Sequence, residues 1–254
     1  MKVKEKAKVI NQVQLADGIF SLTVATKASE YAVPGQFMNI FTKDGSKILP
    51  RPISICEIDK EAGALRMVYR VVGAGTSEFS GLVAGNEVEV MGPLGNGFPL
   101  EGETAIVVGG GIGVPPMLQL AKEYSGIVTA VMGYRNDDLF LSEEFIDAAA
   151  ELIVATDDGS IGVHGNVVDA MRENDLTADV IYACGPKPML RGVAAYAEEK
   201  GIKCYVSMEE RMACGVGACL GCVCQSKEVD DHSHVKNKRV CKDGPVFLST
   251  EVCL

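Results

Sequence analysis

The chain has 254 residues, 47% of them hydrophobic, and carries a net charge of -10 at pH 7. Two domains of ordinary size fit that length, with room for a small third module. The acidic balance argues against nucleic acid or an anionic membrane surface as a partner, since both require a cationic face.

No apolar run approaches the roughly 18 residues of a membrane span, and the amino-terminal MKVKEKAKVINQ lacks the apolar core of a secretory signal. A soluble, cytoplasmic protein is expected. Nine cysteines, an odd number crowded towards the carboxyl end, suit metal ligation in a reducing compartment better than a disulfide framework.

Short β-branched runs separated by turn signals fill the first hundred residues. They predict strands at Lys8 to Leu15, Phe20 to Thr26, Gln36 to Phe41, Ile53 to Glu57, Leu65 to Val72 and Glu87 to Met91, with one helix near Thr76 to Leu82. Six strands at this spacing predict a small antiparallel barrel. From Glu103 the pattern changes to apolar strands alternating with helix-length segments: TAIVV, PPMLQLAKEY, IVTAVMGY, SEEFIDAAA, ELIVAT, NVVDAMRE, DVIYACG, PMLRGVAAYAEEKG and KCYVSM. That alternation predicts a doubly wound parallel sheet of five strands. After Met208 the periodicity stops and cysteine loops continue to Leu254. The expected organisation is α+β and multidomain: a six-stranded antiparallel β-barrel over 1–101, a doubly wound α/β unit over 102–207 and a small cysteine module over 208–254.

Cys214, Cys219, Cys222 and Cys241 follow the order C-x4-C-x2-C…C, the ligand spacing of a plant-type [2Fe-2S] centre. Gly215, Gly217 and Gly221 let the backbone wrap a cluster and aim amides at its sulfurs. Four thiolates also suit a structural zinc ion, but such sites usually show two short C-x2-C hairpins, whereas here three thiols share one glycine loop. A Rieske centre would need a C-x-H pair, which is absent; His232 and His234 are expected to be solvated. Cys224 has no place in the pattern.

Upstream, Gly109-Gly110-Gly111-Ile112-Gly113-Val114-Pro115-Pro116 follows a strand and opens a helix, where a pyrophosphate can meet backbone amides. Thr156-Asp157-Asp158-Gly159 and Cys184-Gly185-Pro186 also follow strands, at the carboxyl edge where open α/β sheets bind ligands. Asp157 or Asp158 could accept a ribose hydroxyl and repel a 2′-phosphate, which favours NAD; a helix cap or turn role is the plain alternative. In the barrel, Arg51-Pro52-Ile53-Ser54 starts a strand, Val68-Tyr69-Arg70 ends another, and Gly73-Ala74-Gly75-Thr76-Ser77 leads into the helix. Two arginines beside a glycine-to-helix turn make a phosphate cradle.

These motifs, together with ERMACGVGACLGC and VCKDGPVF, resemble the ferredoxin-reductase superfamily, and most closely the electron-transfer subunit of NAD-dependent dihydroorotate dehydrogenase, over essentially the whole chain. The resemblance implies FAD on the barrel. Arg51, Pro52, Ile53 and Ser54 would contact phosphate, ribose and the flavin edge, and Val68, Tyr69, Arg70, Gly75 and Thr76 would line ribityl and pyrophosphate. The strand-end motifs put NAD at Gly110, Gly111, Gly113, Asp157, Cys184, Gly185 and Pro186, and the resemblance matches Cys214, Cys219, Cys222 and Cys241 to the cluster ligands. Much of the superfamily has an aromatic residue where Ile53 stands.

The implied activity passes electrons singly from [2Fe-2S] to FAD and then as a hydride to NAD+, with no acid or base among the side chains. Nothing in the sequence resembles a dihydroorotate site. The resemblance therefore implies an FMN-containing catalytic partner in a dimer of heterodimers, within pyrimidine biosynthesis. Similar subunits serve sulfide dehydrogenase, NADH-dependent ferredoxin:NADP oxidoreductase and soluble hydrogenases. Some of those replace one cysteine by aspartate, whereas this chain keeps all four thiols.

Overall fold

The computed structural model describes residues 1–229 and 234–254; His232 lies outside the described residues. The amino-terminal strands are β1 (Val3–Ala16), β2 (Ile19–Ala25), β3 (Phe37–Ile40), β4 (Arg51–Asp59), β5 (Ala64–Arg70) and β6 (Glu87–Leu94), with helix α1 (Ala74–Ser80) before the last. They close into a barrel in the order β1-β2-β5-β4-β3-β6. Closure follows from the long β1, which pairs antiparallel with β2 through Lys8↔Ala25 and with β6 through Val3↔Gly92. The period-2 alternation turns Leu22, Val24, Met38, Ile55 and Met67 into the barrel, each essentially without exposure. Each such side chain contributes roughly 1.5–3 kcal/mol of burial free energy. Helix α1 begins two residues before the expected position and closes one end of the barrel with the buried Phe79.

The second unit runs β7 (Thr104–Gly110), α2 (Pro115–Glu123), β8 (Ile127–Tyr134), α3 (Ser142–Ala148), β9 (Glu151–Thr156), β10 (Val163–His164), α4 (Val167–Glu173), β11 (Val180–Cys184), α5 (Lys187–Lys200) and β12 (Lys203–Ser207). Its sheet has the order β10-β9-β8-β7-β11-β12 and then a seventh strand, β15 (Val246–Leu248), from the carboxyl-terminal segment. The first six are parallel, one more than the five expected because the two-residue β10 joins the edge. Strand β15 runs antiparallel to β12, so the completed sheet is mixed.

The remaining strands, β13 (Val223–Gln225) and β14 (Asn237–Arg239), form a two-stranded sheet beside the cysteine loops. The three units are tied to one another by specific contacts. Gln119 on α2 accepts from the Ile58 amide at 2.7 Å, and Arg66 on β5 pairs with Glu57 and with Glu144 of α3. Asn96, just after the barrel, donates from its side chain to the carbonyls of Lys242 and Asp243 at 3.2 and 3.0 Å. No helix among the described residues is long and apolar enough to cross a membrane.

Candidate functional site

The cysteine loop is shaped by glycines that take positive φ, Gly215 at 68° and Gly217 at 83°. The turns they allow direct amides at sulfur: Val216 and Cys219 donate to Cys214 Sγ at 3.5 and 3.4 Å, Gly217 to Cys241 Sγ at 3.2 Å, and Cys241 to Cys222 Sγ at 3.4 Å. The thiols stand as two pairs. Cys214 and Cys219 sulfurs are 3.3 Å apart and half-exposed, while Cys222 and Cys241 are buried neighbours. Two pairs of thiolates are what two bridged irons require.

Burial pushes the Cys214 thiol up, but the amides of Cys219 and Val216 and the Cys219 side chain outweigh it and bring it to about 6. The lowering favours the thiolate, the form a metal ligand needs. Burial and the adjacent Cys222 raise Cys241, so cluster insertion there must displace a proton. The loop is clamped from outside: Arg239 donates to the Gly217 carbonyl at 3.1 Å and is itself held by Asp243. Cys224, unassigned by the sequence, packs in the core with Cys222, Val240 and Val252, and burial raises its thiol. All nine cysteines are free.

On the barrel, Arg51, Pro52, Ile53 and Ser54 occupy the start of β4, all partly accessible. The Arg51 guanidinium lies across Gly75, where a methyl group would overlap it, so the glycine provides room for the arginine over the start of α1. Arg70, whose neighbour Tyr69 points into the barrel, has a buried Nε with no partner in the protein. A phosphate-bearing cofactor suits this arrangement: one arginine over a glycine and a second with an unmet donor. Three of the expected contact residues have their side chains engaged within the protein. Tyr69 is a barrel-core residue, stacked on Phe20 at 6.0 Å with its hydroxyl donating to Gln12 at 3.2 Å. Val68 is buried among residues facing α2. The Thr76 hydroxyl accepts from the Val72 and Gly73 amides at 3.0 and 3.2 Å, capping the turn instead of facing outward. Alternation and helix capping account for these placements.

The nucleotide motifs converge at the carboxyl edge of the sheet. Gly109 on β7 is in register with Cys184 on β11. These adjacent strands are the point where the order reverses, the usual crevice of open α/β sheets. Gly113 backs directly onto the Cys184 carbonyl and the Gly185 amide, and Gly110 onto Met189 and Pro186, so the two loops interlock. Gly111, at φ 55°, has open space on its Cβ side. Burial pushes the Cys184 thiol up to about 12, only slightly offset by Ser207, so it is neutral. At the end of β9, the Asp158 carboxylate is taken by the Ser160 amide and hydroxyl at 3.0 and 2.6 Å. Asp157, the aspartate expected to meet the ribose, has no side-chain hydrogen bond among the described residues.

The sequence missed Asn39. Fully buried on β3, it donates from Nδ2 to the Cys214 carbonyl at 3.3 Å and joins the barrel to the cysteine loop. The available signal was a polar residue inside the otherwise apolar run Phe37-Met38-Asn39-Ile40.

A family model described as the iron-sulfur cluster binding domain of dihydroorotate dehydrogenase B matches residues 209–253. A protein of Streptococcus mutans named dihydroorotate dehydrogenase B (NAD(+)), electron transfer subunit, is 42% identical over 261 residues, covering all of both chains. One of the same name from Bacillus caldolyticus is 43% identical over 99% of each. Among solved structures, an NADH-dependent reduced ferredoxin-NADP oxidoreductase superposes with a TM-score of 0.86 at 31% identity, over 98% of this chain and 90% of that one. A Neisseria gonorrhoeae ferredoxin NADP+ reductase with bound FAD and NADP shares the fold at a TM-score of 0.67 and 14% identity, over 82% of this chain and 94% of that one. Full-length identity of this size, with the cysteine loops matched by their own family model, means that the chain belongs to the family of electron transfer subunits of NAD(+)-dependent dihydroorotate dehydrogenase B.

Proposed function

We propose that this chain passes electrons from a dihydroorotate-oxidising partner subunit, through [2Fe-2S] and FAD, to NAD+, as the output arm of a pyrimidine-biosynthetic enzyme. The observation that carries this reading is the contact between Asn39 and Cys214, which puts the cysteine loop against the strand next to Arg51-Pro52-Ile53-Ser54. When bound, a flavin exchanges an electron pair as hydride with a nicotinamide and single electrons with an iron-sulfur centre.

The residues divide the work of holding these groups. Cys214, Cys219, Cys222 and Cys241 would hold the cluster's two irons. Arg51 and Arg70 neutralise the cofactor's phosphates, with Gly75 making room, and the Gly110 to Gly113 loop presents amides to a dinucleotide against Gly185 and Pro186. Asp157 selects NAD by accepting ribose hydroxyls and repelling a 2′-phosphate. Cys184, kept neutral by burial, lines this crevice without adding charge. No side chain in the site needs to move a proton. In domain terms, 1–101 carries the flavin, 102–207 the nucleotide and 208–254 the cluster.

The half-exposed Cys214 and Cys219 pair is bordered by Leu220, 71% exposed, an apolar side chain placed to be covered by the partner. That partner is an FMN-containing catalytic subunit, in a cytoplasmic dimer of heterodimers. The purified chain is expected to show flavin bands and an iron-sulfur shoulder that bleach with NADH, to reduce artificial acceptors and to leave dihydroorotate untouched. Oxidation of dihydroorotate by the single chain, or co-purification with a hydrogenase or ferredoxin-linked subunit in place of an FMN protein, would refute the assignment. The likeness to the ferredoxin-NADP oxidoreductase at 31% identity supports that second partner class. The 42% identity to dihydroorotate dehydrogenase subunits and the four intact thiols favour the first.

A further inference from the structure

We propose that Asn39 is a positioning residue for the iron-sulfur centre, fixing the Cys214 ligand loop against the flavin-binding barrel and thereby setting the potential of the centre; this rests on the reading of Cys214 as a cluster ligand. Asn39 has no exposed surface. Its Nδ2 donates to the Cys214 carbonyl at 3.3 Å, and its Oδ1 is buried with no partner in the protein. A residue serving packing alone in this strand would be apolar, as Phe37, Met38 and Ile40 are, because burying an amide with half its capacity unmet is unfavourable. The orientation of the amide follows from chemistry, since the flipped form would set two acceptors, Oδ1 and the Cys214 carbonyl, against each other.

The loop is built around this side chain. Gly215 sits at φ 68°, and a Cβ there would reach the Asn39 amide, with Cγ and Oδ1 both at 3.0 Å. Asn39 thus fixes the peptide that joins Cys214 to Gly215. The amides that follow, those of Val216 and Cys219, are the ones that donate to Cys214 Sγ at 3.5 and 3.4 Å. Hydrogen bonds to cluster sulfurs favour the more negative, reduced state and raise the potential. On the barrel side, Asn39 is in register with Pro52 of the Arg51-Pro52-Ile53-Ser54 motif and with Met91. Alternation puts it on the face opposite the buried Met38, so one residue links the strand beside the flavin motif to the ligand loop.

The test is an EPR-monitored redox titration of the full-length holoprotein and of Asn39→Leu and Asn39→Asp. Leucine has the same branching and number of side-chain heavy atoms, is bulkier and has no donor; aspartate keeps the shape, loses the donor and adds negative charge. In Asn39→Leu the cluster potential is expected to fall enough to shift the one-electron balance about tenfold towards the flavin, about 59 mV for one electron. The g-values of the reduced centre should change, and the flavin potential should stay at the parent's value. Asn39→Asp should fall at least as far. A variant that keeps its flavin but no longer assembles the cluster also supports the proposal, because ligand placement then depends on Asn39. Parent-like potential and line shape in Asn39→Leu overturn it, whatever happens to thermal stability, and so does joint loss of flavin and cluster, the mark of a packing residue. A parent protein without a [2Fe-2S] signal overturns the reading of Cys214 instead, and is seen before any variant is made.

Discussion

Gly113→Ala is the sharpest perturbation of the nucleotide crevice because its consequence can be worked from backbone atoms alone. The added methyl would stand 2.6 Å from the Cys184 carbonyl carbon and 2.7 Å from the Gly185 nitrogen. Neither atom is the end of a flexible side chain, and ordinary contact begins at 3.4 Å. The methyl would also overlap the Cys184 carbonyl oxygen, the nearest atom, so the glycine loop and the Cys184-Gly185-Pro186 turn must part by about 1 Å, with the ends of β7 and β11 held in register behind them. Overpacking of this kind costs about 1–3 kcal/mol, which for a chain of this size lowers Tm by about 2–4 °C per kcal/mol. The functional loss should exceed the thermal one, since a misplacement near 1 Å of groups that orient a reactant costs about 100-fold. The assay is NADH-dependent reduction of an artificial acceptor, with flavin and iron content measured on the same samples. KM for NADH should rise or kcat/KM fall by one to two orders of magnitude while flavin and cluster content stay at parent levels. Unchanged NADH kinetics at full cofactor content would show that the nucleotide does not bind between these loops.

Substituting the thiols one at a time separates ligands from core. Cys214→Ser and Cys241→Ser should lose the iron-sulfur spectrum and keep flavin. Cys224→Ser should keep the cluster and lose only about 1–3 kcal/mol for burying a hydroxyl; loss of the cluster from it would mean that the ligand set is wrong. Tyr69→Phe removes one hydroxyl from the barrel core and should cost about 0.5–1.5 kcal/mol in denaturant unfolding with flavin content intact. A flavin-free Tyr69→Phe protein would return that side chain to the cofactor.

The junction of barrel and nucleotide unit should weaken in acid. Burial raises Glu57, but hydrogen bonds from Lys122 and Arg66 outweigh it and hold the carboxyl below its ordinary value of 4.5. A depressed folded-state value contributes stability that is fully present above 4.5 and is lost as pH falls through the folded-state value. Denaturation midpoints measured downward from pH 7 should therefore fall off below about pH 4.5, and Glu57→Gln should flatten that part of the curve. An identical acid limb in the variant would show that the ion pairs contribute nothing.

The strands of the barrel were legible because apolar and polar residues alternate between glycine and aspartate turns, and those of the second unit because apolar runs alternate with helix-length segments. Alternation says which residues share a face but not which face turns inward. That is why Tyr69 reads as a candidate ligand in Val68-Tyr69-Arg70 and proves to be core, two residues along from Met67. Strand β15 escaped notice because three apolar residues after a glycine-proline pair carry no periodicity. It exists by pairing with β12, some forty residues earlier in the chain. That Ser160 occupies Asp158 and leaves Asp157 without a side-chain hydrogen bond among the described residues was not legible in the sequence.

By itself, the sequence supplied the groups on which the proposed chemistry rests: four thiols at the spacing of a two-iron centre, glycines where a backbone could approach a phosphate, and arginines that could neutralise it. Those properties are local, written into neighbouring residues whose side chains and φ angles act within a few positions. Tertiary structure decided where that chemistry meets. Asn39 and Cys214 are 175 residues apart, and Gly113 touches a turn that follows a different strand. Such contacts arise only when a barrel closes and a sheet winds in both directions from β7, because long-range pairing depends on the packing of the whole chain and leaves no mark in the spacing of nearby residues.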